Sequence, residues 1–255
     1  MKISLIARIA LTLLLCYTGI SAAFAQTAED KLDIKAEFGQ RFAAWSEWSA
    51  TQSARSMLTI GSEYHNLIEL GPKATPFFAE KMLHSANARE ASAMADALAR
   101  VTNRRFSHEQ WPAGKYLDSA TKVELYSRWW TEGRKENKAS FDRLSARWKE
   151  LKAKGVLLFT RDVDTAIYDD EQKMIRTNRT KEKTELAQVY EEIGNLGIDC
   201  LPLIIDQFNA GDYDLLPIFR DLTRYAPHGK NPAERAKSCA DWWEVNKGDW
   251  LIPVN

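Results

Sequence analysis

The sequence has few of the residues that define specialised classes of protein. Three cysteines, eight prolines and twelve glycines occur among 255 residues. These numbers exclude a disulfide-dense scaffold, a collagen-like repeat and a Pro/Gly-rich disordered chain. An excess of one charge is also absent, since 35 Lys and Arg stand against 35 Asp and Glu. This balance argues against a general binder of nucleic acid or of anionic membranes.

Recognisable catalytic and metal-binding motifs are missing as well. The sequence contains no His-Glu-x-x-His, no Cys-x-x-Cys and no Gly-x-Ser-x-Gly. It therefore indicates no catalytic residue, no metal site and no cofactor, and it favours a protein that is not an enzyme. His108 and His228 are the only candidate ligand-binding residues, because they fall in equivalent loops of an internal duplication described below. The alternative is that both are exposed loop histidines that bind no ligand.

The N-terminal residues have the pattern of a secretory signal peptide. Lys2 and Arg8 form a positive segment, residues 9–15 form an apolar run, and Ala23-Phe24-Ala25 supplies the small residues of a cleavage site. We expect cleavage after Ala25, so that residues 1–25 are lost and the protein is periplasmic or secreted. An uncleaved anchor is the alternative, but the apolar run is short for a bilayer span. No later run approaches that length, so we expect no membrane span after cleavage.

Most of the remaining chain has the period of amphipathic helices, with apolar residues recurring every three or four positions. The predicted helices cover residues 29–49, 53–69, 88–102, 119–134, 138–154, 181–195, 201–209, 214–225 and 232–247, with a further one starting at Thr75-Pro76. No set of alternating strands is evident, so the predicted fold class is all-α. Residues 155–180 interrupt the helices as an irregular insertion, in which 156–159 is either a short strand or a docked loop.

Both halves of the sequence contain the same motifs in the same order, which indicates an internal duplication. A Leu-Gly…Pro link comes first, then a Thr at a helix end, then a Trp-Trp pair. The repeated residues are Gly71, Pro76, Thr102, Trp129 and Trp130 in the first half and Gly197, Pro202, Thr223, Trp242 and Trp243 in the second. Gly ends one helix and Pro starts the next, so each link joins antiparallel neighbours. The Thr hydroxyl is placed to bond a terminal carbonyl, and the Trp rings are predicted packing anchors.

The duplication accounts for most of the nine tryptophans. Trp45 and Trp148 form a third matched pair beside the two Trp-Trp motifs. Both tryptophans follow phenylalanines at helical spacing, which favours a position in the core. The alternative is that they are exposed and bind a sugar. Trp48, Trp111 and Trp250 have no partner by symmetry.

Helix pairs joined by a Leu-Gly…Pro link resemble HEAT-like repeats of the α-solenoid class. More narrowly, a Leu-Thr helix end before a Trp-Trp helix resembles secreted bacterial proteins with degenerate HEAT-like units. The resemblance covers residues 60–135 and 186–247, but the unit is about 100 residues rather than the usual 40 to 47. We therefore expect two related helical lobes of antiparallel helix pairs, over 26–137 and 138–255, with the insertion at 155–180.

Cys200 and Cys239 are the two cysteines that remain after cleavage at Ala25. An exported protein meets an oxidising compartment, and their equivalents Ala74 and Tyr126 would be close if both halves share a fold. A disulfide between them is therefore one prediction, and two buried free thiols are the alternative.

The resemblance to HEAT-like proteins implies a binding surface or scaffold. We therefore expect an exported protein-interaction module whose partner is another envelope or secreted protein. The alternative is a periplasmic hydrolase or a small-ligand or carbohydrate-binding protein with a site between the two lobes.

Overall fold

The computed structural model describes residues 33–52, 58–168 and 174–252. The signal peptide expected over residues 1–25 lies outside them. The contacts between residues divide the chain into two compact units, Met1–Phe77 and Phe78–Asn255. The lobe boundary expected after residue 137 stays a prediction.

The described chain is dominated by helices, which confirms the all-α class. The helices are α1 (residues 33–50), α2 (Ser62–Ile68), α3 (Thr75–His84), α4 (Ala88–Thr102), α5 (Ser119–Thr131), α6 (Asn137–Ala153), α7 (Glu185–Asn195), α8 (Leu201–Asn209), α9 (Leu216–Thr223) and α10 (Pro232–Trp250). Short 3-10 turns cover Pro72–Ala74, His108–Gln110, Gly133–Glu136 and Gly197–Cys200.

The insertion differs from the irregular segment expected at 155–180. It contains two antiparallel strands, β1 (Thr160–Tyr168) and β2 (Met174–Lys183), with Thr160 opposite Lys183. The preceding run at 156–159 is not part of a strand. The side-chain oxygen of Thr184 accepts from the backbone N–H of Ala187 (3.3 Å) and donates to the carbonyl of Leu157 (2.8 Å). These two hydrogen bonds connect the base of the strand pair to the start of α7.

The core of the first unit is built on one face of α1. Phe38, Phe42 and Trp45 are buried on that face and pack ring against ring, with centroids 5.5 to 5.8 Å apart. Trp45 also contacts Tyr64, and its Nε1 donates to the carbonyl of Leu58 at 3.0 Å. The indole is therefore a buried anchor and is not available for stacking on a sugar.

The core of the second unit centres on α7, α8 and α9. Ile193, Leu201, Ile204 and Phe219 are completely buried there, and Trp148 from α6 joins them. Each such side chain contributes about 1.5–3 kcal/mol through burial of apolar surface.

The glycines of the two Leu-Gly…Pro links have nearly the same φ. Gly71 and Gly197 have φ of 70° and 73°, the left-handed region in which glycine is favoured, and each precedes or begins a 3-10 turn. Pro76 and Pro202 then occupy the second position of α3 and α8, where proline is tolerated. The surroundings differ, because a Cβ on Gly197 would lie 2.4 Å from the carbonyl oxygen of Thr102, whereas a Cβ on Gly71 would meet nothing within 4 Å.

The two repeated threonines end their helices in the same way. The hydroxyl of Thr102 donates to the carbonyl of Leu98 (2.6 Å), and that of Thr223 donates to the carbonyl of Phe219 (2.8 Å). Each oxygen then accepts the backbone N–H two residues later, from Arg104 (3.2 Å) and from Tyr225 (3.1 Å). Both side chains are buried, so each hydroxyl satisfies polar groups that water cannot reach.

We expect Thr223→Val to lower the free energy of unfolding by about 1–2 kcal/mol, because the partly buried N–H of Tyr225 loses its acceptor. Thr131→Val is the matched control. Its hydroxyl makes the same bond to the carbonyl four residues earlier, at Ser127 (3.0 Å), but it is exposed. The control should stay within about 0.5 kcal/mol of the parent in urea unfolding. Equal losses in the two variants would contradict the capping role.

A buried ion pair joins the segment after α5 to the turn before α8. Nε and Nη2 of Arg134 donate to the two carboxylate oxygens of Asp199 at 3.1 and 3.2 Å. Nη2 also donates to the carbonyl of Ile252 (2.6 Å), and Asn137 donates to Asp199 at 2.9 Å. The guanidinium lies over the ring of Trp130, with its carbon 4.9 Å from the ring centroid. A single arginine thus connects three distant parts of the second unit.

Candidate functional site

The two candidate histidines lie in different surroundings. His228 follows α9 in an exposed loop, and its backbone N–H donates to the Oγ of Ser238 (3.2 Å). His108 opens an exposed 3-10 turn and lies against Tyr116, with ring centroids 4.9 Å apart. His228 lines a surface groove that His108 does not line. A shared ligand-binding role for His108 and His228 stays a prediction.

The groove beside His228 has a volume of about 620 Å³ and runs along α10. We call it the α10 groove. It is lined by Tyr225, His228, Gly229, Glu234, Lys237, Ser238, Asp241, Trp242, Val245 and Asn246.

The floor of the α10 groove is aromatic. Tyr225 stacks on Trp242, with centroids 5.3 Å apart and planes 23° apart. Trp242 in turn meets Phe219 and Trp250 edge-on, at 5.8 and 5.6 Å. The hydroxyls of Tyr225 and Ser238 are 2.7 Å apart and bond to each other. The floor is therefore held by the core beneath it, and the Ser238 oxygen is occupied by structural bonds rather than poised as a nucleophile.

The charged groups of the rim are paired with one another or with backbone. Lys237 forms an exposed ion pair with Asp241 at 2.6 Å. The carboxylate of Glu234 accepts from the backbone N–H of Lys230 (2.7 Å) and from Nδ2 of Asn231 (2.8 Å). The α10 groove therefore carries no strong field of one sign.

Val245 is an apolar side chain on the outer face of α10. The buried stripe of this helix consists of Ala236, Cys239 and Trp243, at the expected spacing of three and four. Val245 lies two residues beyond Trp243 and is 84% exposed. Its position outside the buried stripe is the signal in the sequence that could have identified Val245 as an exposed apolar residue.

The helices that carry the Trp-Trp pairs start alike in both halves. The carboxylate of Asp118 accepts the backbone N–H of Thr121 at the start of α5 (2.9 Å). The side chain of Asn231 accepts that of Glu234 at the start of α10, also at 2.9 Å. These caps are the same number of residues before their Trp-Trp pairs.

The buried faces of these two helices nevertheless differ. Trp129 is buried and Trp130 is partly exposed, whereas Trp242 is partly exposed and Trp243 is buried. The change corresponds to a shift of one residue, or about 100° around the helix. Trp130 packs against the guanidinium of Arg134, whereas Trp242 forms the floor of the α10 groove.

The tryptophans without a symmetry partner pack locally. The ring of Trp48 lies against Gly61, and Trp111 meets Tyr116 edge-on at 5.6 Å. Trp250 contacts Trp242 below the α10 groove.

The disulfide between Cys200 and Cys239 is wrong, because both thiols are free. Cys200 is fully buried, and its thiol donates to the carbonyl of Gly197 within the same turn (3.0 Å). Burial raises the pKa of the Cys239 thiol to about 12 and raises that of Cys200 further. Both cysteines act as buried apolar side chains.

Within the described ranges, no group of three or more His, Cys, Asp and Glu side chains could hold a metal ion. No helix in that part of the chain is long and apolar enough to cross a membrane.

Comparison with known proteins gives no match. No family model, no curated protein and no solved structure is similar to the chain at a significant level.

Proposed function

We propose that the chain is an exported helical-repeat protein, periplasmic or secreted after loss of residues 1–25, that acts as a protein-interaction or scaffold module. The observation that carries the proposal is the α10 groove, where an aromatic floor lies beside the exposed Val245. The two Leu-Gly…Pro links, whose glycines have nearly the same φ, support the repeat architecture.

The chemistry of the α10 groove suits a protein surface better than an enclosed metabolite. Trp and Tyr dominate the energetically important positions of protein interfaces, and both are present on its floor. A small-molecule pocket encloses its ligand with converging polar groups. Here the hydroxyls of Tyr225 and Ser238 bond to each other instead.

The rim defines the kind of partner. Since Lys237 and Asp241 neutralise each other, charge does not select the partner. The aromatic floor and Val245 instead favour an aliphatic or aromatic side chain presented by another envelope or secreted protein.

The test is capture of partners from the native envelope by the immobilised protein and two variants. Val245→Glu places a charge on the apolar edge of the groove and should remove a captured partner or weaken its affinity by at least about tenfold. Leu157→Glu is the matched control, because Leu157 is 77% exposed and outside the α10 groove. This control should capture the same proteins as the parent.

Neither substitution changes a buried residue, so both variants should keep the parent's melting temperature. The proposal is overturned if Val245→Glu captures the same proteins as the parent, or if both variants lose them equally.

A further inference from the structure

A second cavity, of about 350 Å³, lies where the C-terminal ends of α4 and α9 meet. The residues that follow these helices, Asn103 and Arg224, are both left-handed, with φ of 53° and 61°. Nδ2 of Asn103 donates to the carbonyl of Leu222 (3.2 Å), which joins the two helix ends. Tyr190 and Asn195 of α7 form the opposite side. We call this cavity the cap cleft.

The acidic side chains of the cap cleft already have partners. Glu191 forms an ion pair with Lys183. The carboxylate of Asp221 accepts a hydrogen bond from the hydroxyl of Tyr190 (2.6 Å) and pairs with Arg220 at 3.4 Å. Burial and the bond to Asp221 raise the pKa of Tyr190, so the phenol stays protonated and remains a donor to that carboxylate.

Two guanidinium groups of the cap cleft remain without such partners. Arg105 is fixed through its backbone, whose N–H donates to the carbonyl of Asn195 (3.1 Å). Within the described ranges, the guanidinium of Arg105 and that of Arg224 neither hydrogen-bond nor pair with a carboxylate, and both residues are exposed. The lining of the cap cleft thus holds two arginines without a partner and two carboxylates, Glu191 and Asp221, and each carboxylate is paired with a cation outside the lining.

The backbone at Arg224 is a second observation that points to its side chain. A left-handed residue after a helix is usually Gly or Asn, and the equivalent position in the first half is Asn103. Arginine is disfavoured in this conformation because its Cβ crowds the following carbonyl. Strained residues of this kind are concentrated at functional sites.

We propose that the cap cleft binds the oxyanion group of a small molecule, a phosphate or a carboxylate, between the guanidinium groups of Arg105 and Arg224. Planar guanidinium groups donate two parallel hydrogen bonds to such anions, and a cavity of this size holds a small metabolite. This function goes beyond the proposed protein interaction and uses no residue of the α10 groove.

The experiment is calorimetric titration of the purified protein at low ionic strength with inorganic phosphate and, separately, with succinate. The parent should bind at least one of them saturably, and added NaCl should weaken the affinity. Arg105→Ala should lower that affinity by about tenfold or more, because it removes charge-assisted bonds. Arg143→Ala removes an exposed arginine of α6 outside the cap cleft and should bind as the parent does.

Two further variants separate binding from structure. Arg224→Gly should lower the affinity by about tenfold while raising the melting temperature, because glycine relieves the left-handed backbone. Asp221→Asn should increase the affinity, because it removes a negative charge while the amide oxygen can still accept from Tyr190. Tighter binding of phosphate than succinate, or the reverse, identifies which anion the site prefers.

The proposal is overturned if the parent binds neither probe saturably, or if Arg105→Ala binds as tightly as Arg143→Ala. A lower melting temperature together with lost affinity in Arg224→Gly would mean that this arginine is structural, which also overturns it.

Discussion

Asp199→Ala should lower the free energy of unfolding by about 3–5 kcal/mol, because it leaves the guanidinium of Arg134 buried without its counter-ion. The side chains of Arg134 and Asp199 are only 4% and 11% exposed, so water cannot replace the lost carboxylate. The change also removes the acceptor of Asn137 (2.9 Å). Urea unfolding followed by far-UV circular dichroism measures the loss.

The matched control for this loss is Asp142→Ala. Asp142 accepts from Lys138 at 2.6 Å, but both side chains are largely exposed, so the control should change stability by at most about 1 kcal/mol. The double variant Arg134→Met, Asp199→Leu should recover most of the loss, because it removes both buried charges together. Equal effects of Asp199→Ala and Asp142→Ala would contradict the importance of burial.

Gly197→Ala should lower the free energy of unfolding by about 2–5 kcal/mol. The left-handed backbone accounts for about 1–2 kcal/mol of this, and the clash with the carbonyl of Thr102 accounts for the remainder. The added Cβ would also lie 2.9 Å from the backbone nitrogen of Arg104. Both neighbours are backbone atoms and cannot move aside as a flexible side chain could.

Gly71→Ala provides the control from within the same chain. Gly71 has nearly the same φ as Gly197 but open space around the position of a Cβ. It should therefore lose less than Gly197→Ala, about 1–3 kcal/mol, which is the effect of the backbone alone. The difference between the two variants, measured in the same urea titration, isolates the close approach of Gly197 to Thr102. Equal losses would show that this approach can relax.

Features that depend on local chain geometry could be predicted from the sequence. The left-handed glycines, the first-turn prolines and the helix-ending threonines each follow from the preference of one residue type for one backbone setting. The period of α1 likewise placed Trp45 in the core. The strands β1 and β2 could not be predicted in this way, because Arg, Lys, Asp and Thr fill them and hide any alternation of apolar residues.

Features that depend on distant pairing could not be predicted from one sequence. Arg134 and Asp199 are polar residues in separate turns, and no local pattern marks them as buried partners. The α10 groove depends on which of Trp242 and Trp243 turns inward, and a shift of one residue reverses the outcome. The disulfide failed for the same reason, since equivalence of Cys200 with Ala74 says nothing of where its thiol is directed.

The matching starts and differing buried faces of α5 and α10 bear on how two similarly capped helices acquire different contacts. Asp118 and Asn231 start the two helices identically, while the buried stripe behind them has moved by one position. A shift of one position can therefore exchange the core and surface roles of a Trp-Trp pair while the capping bond at the start of the helix is kept. Trp130 of the first pair packs on the guanidinium of Arg134, whereas Trp242 of the second pair forms the floor of the α10 groove. The capping bonds are thus alike, while the outward-facing tryptophans contact different groups.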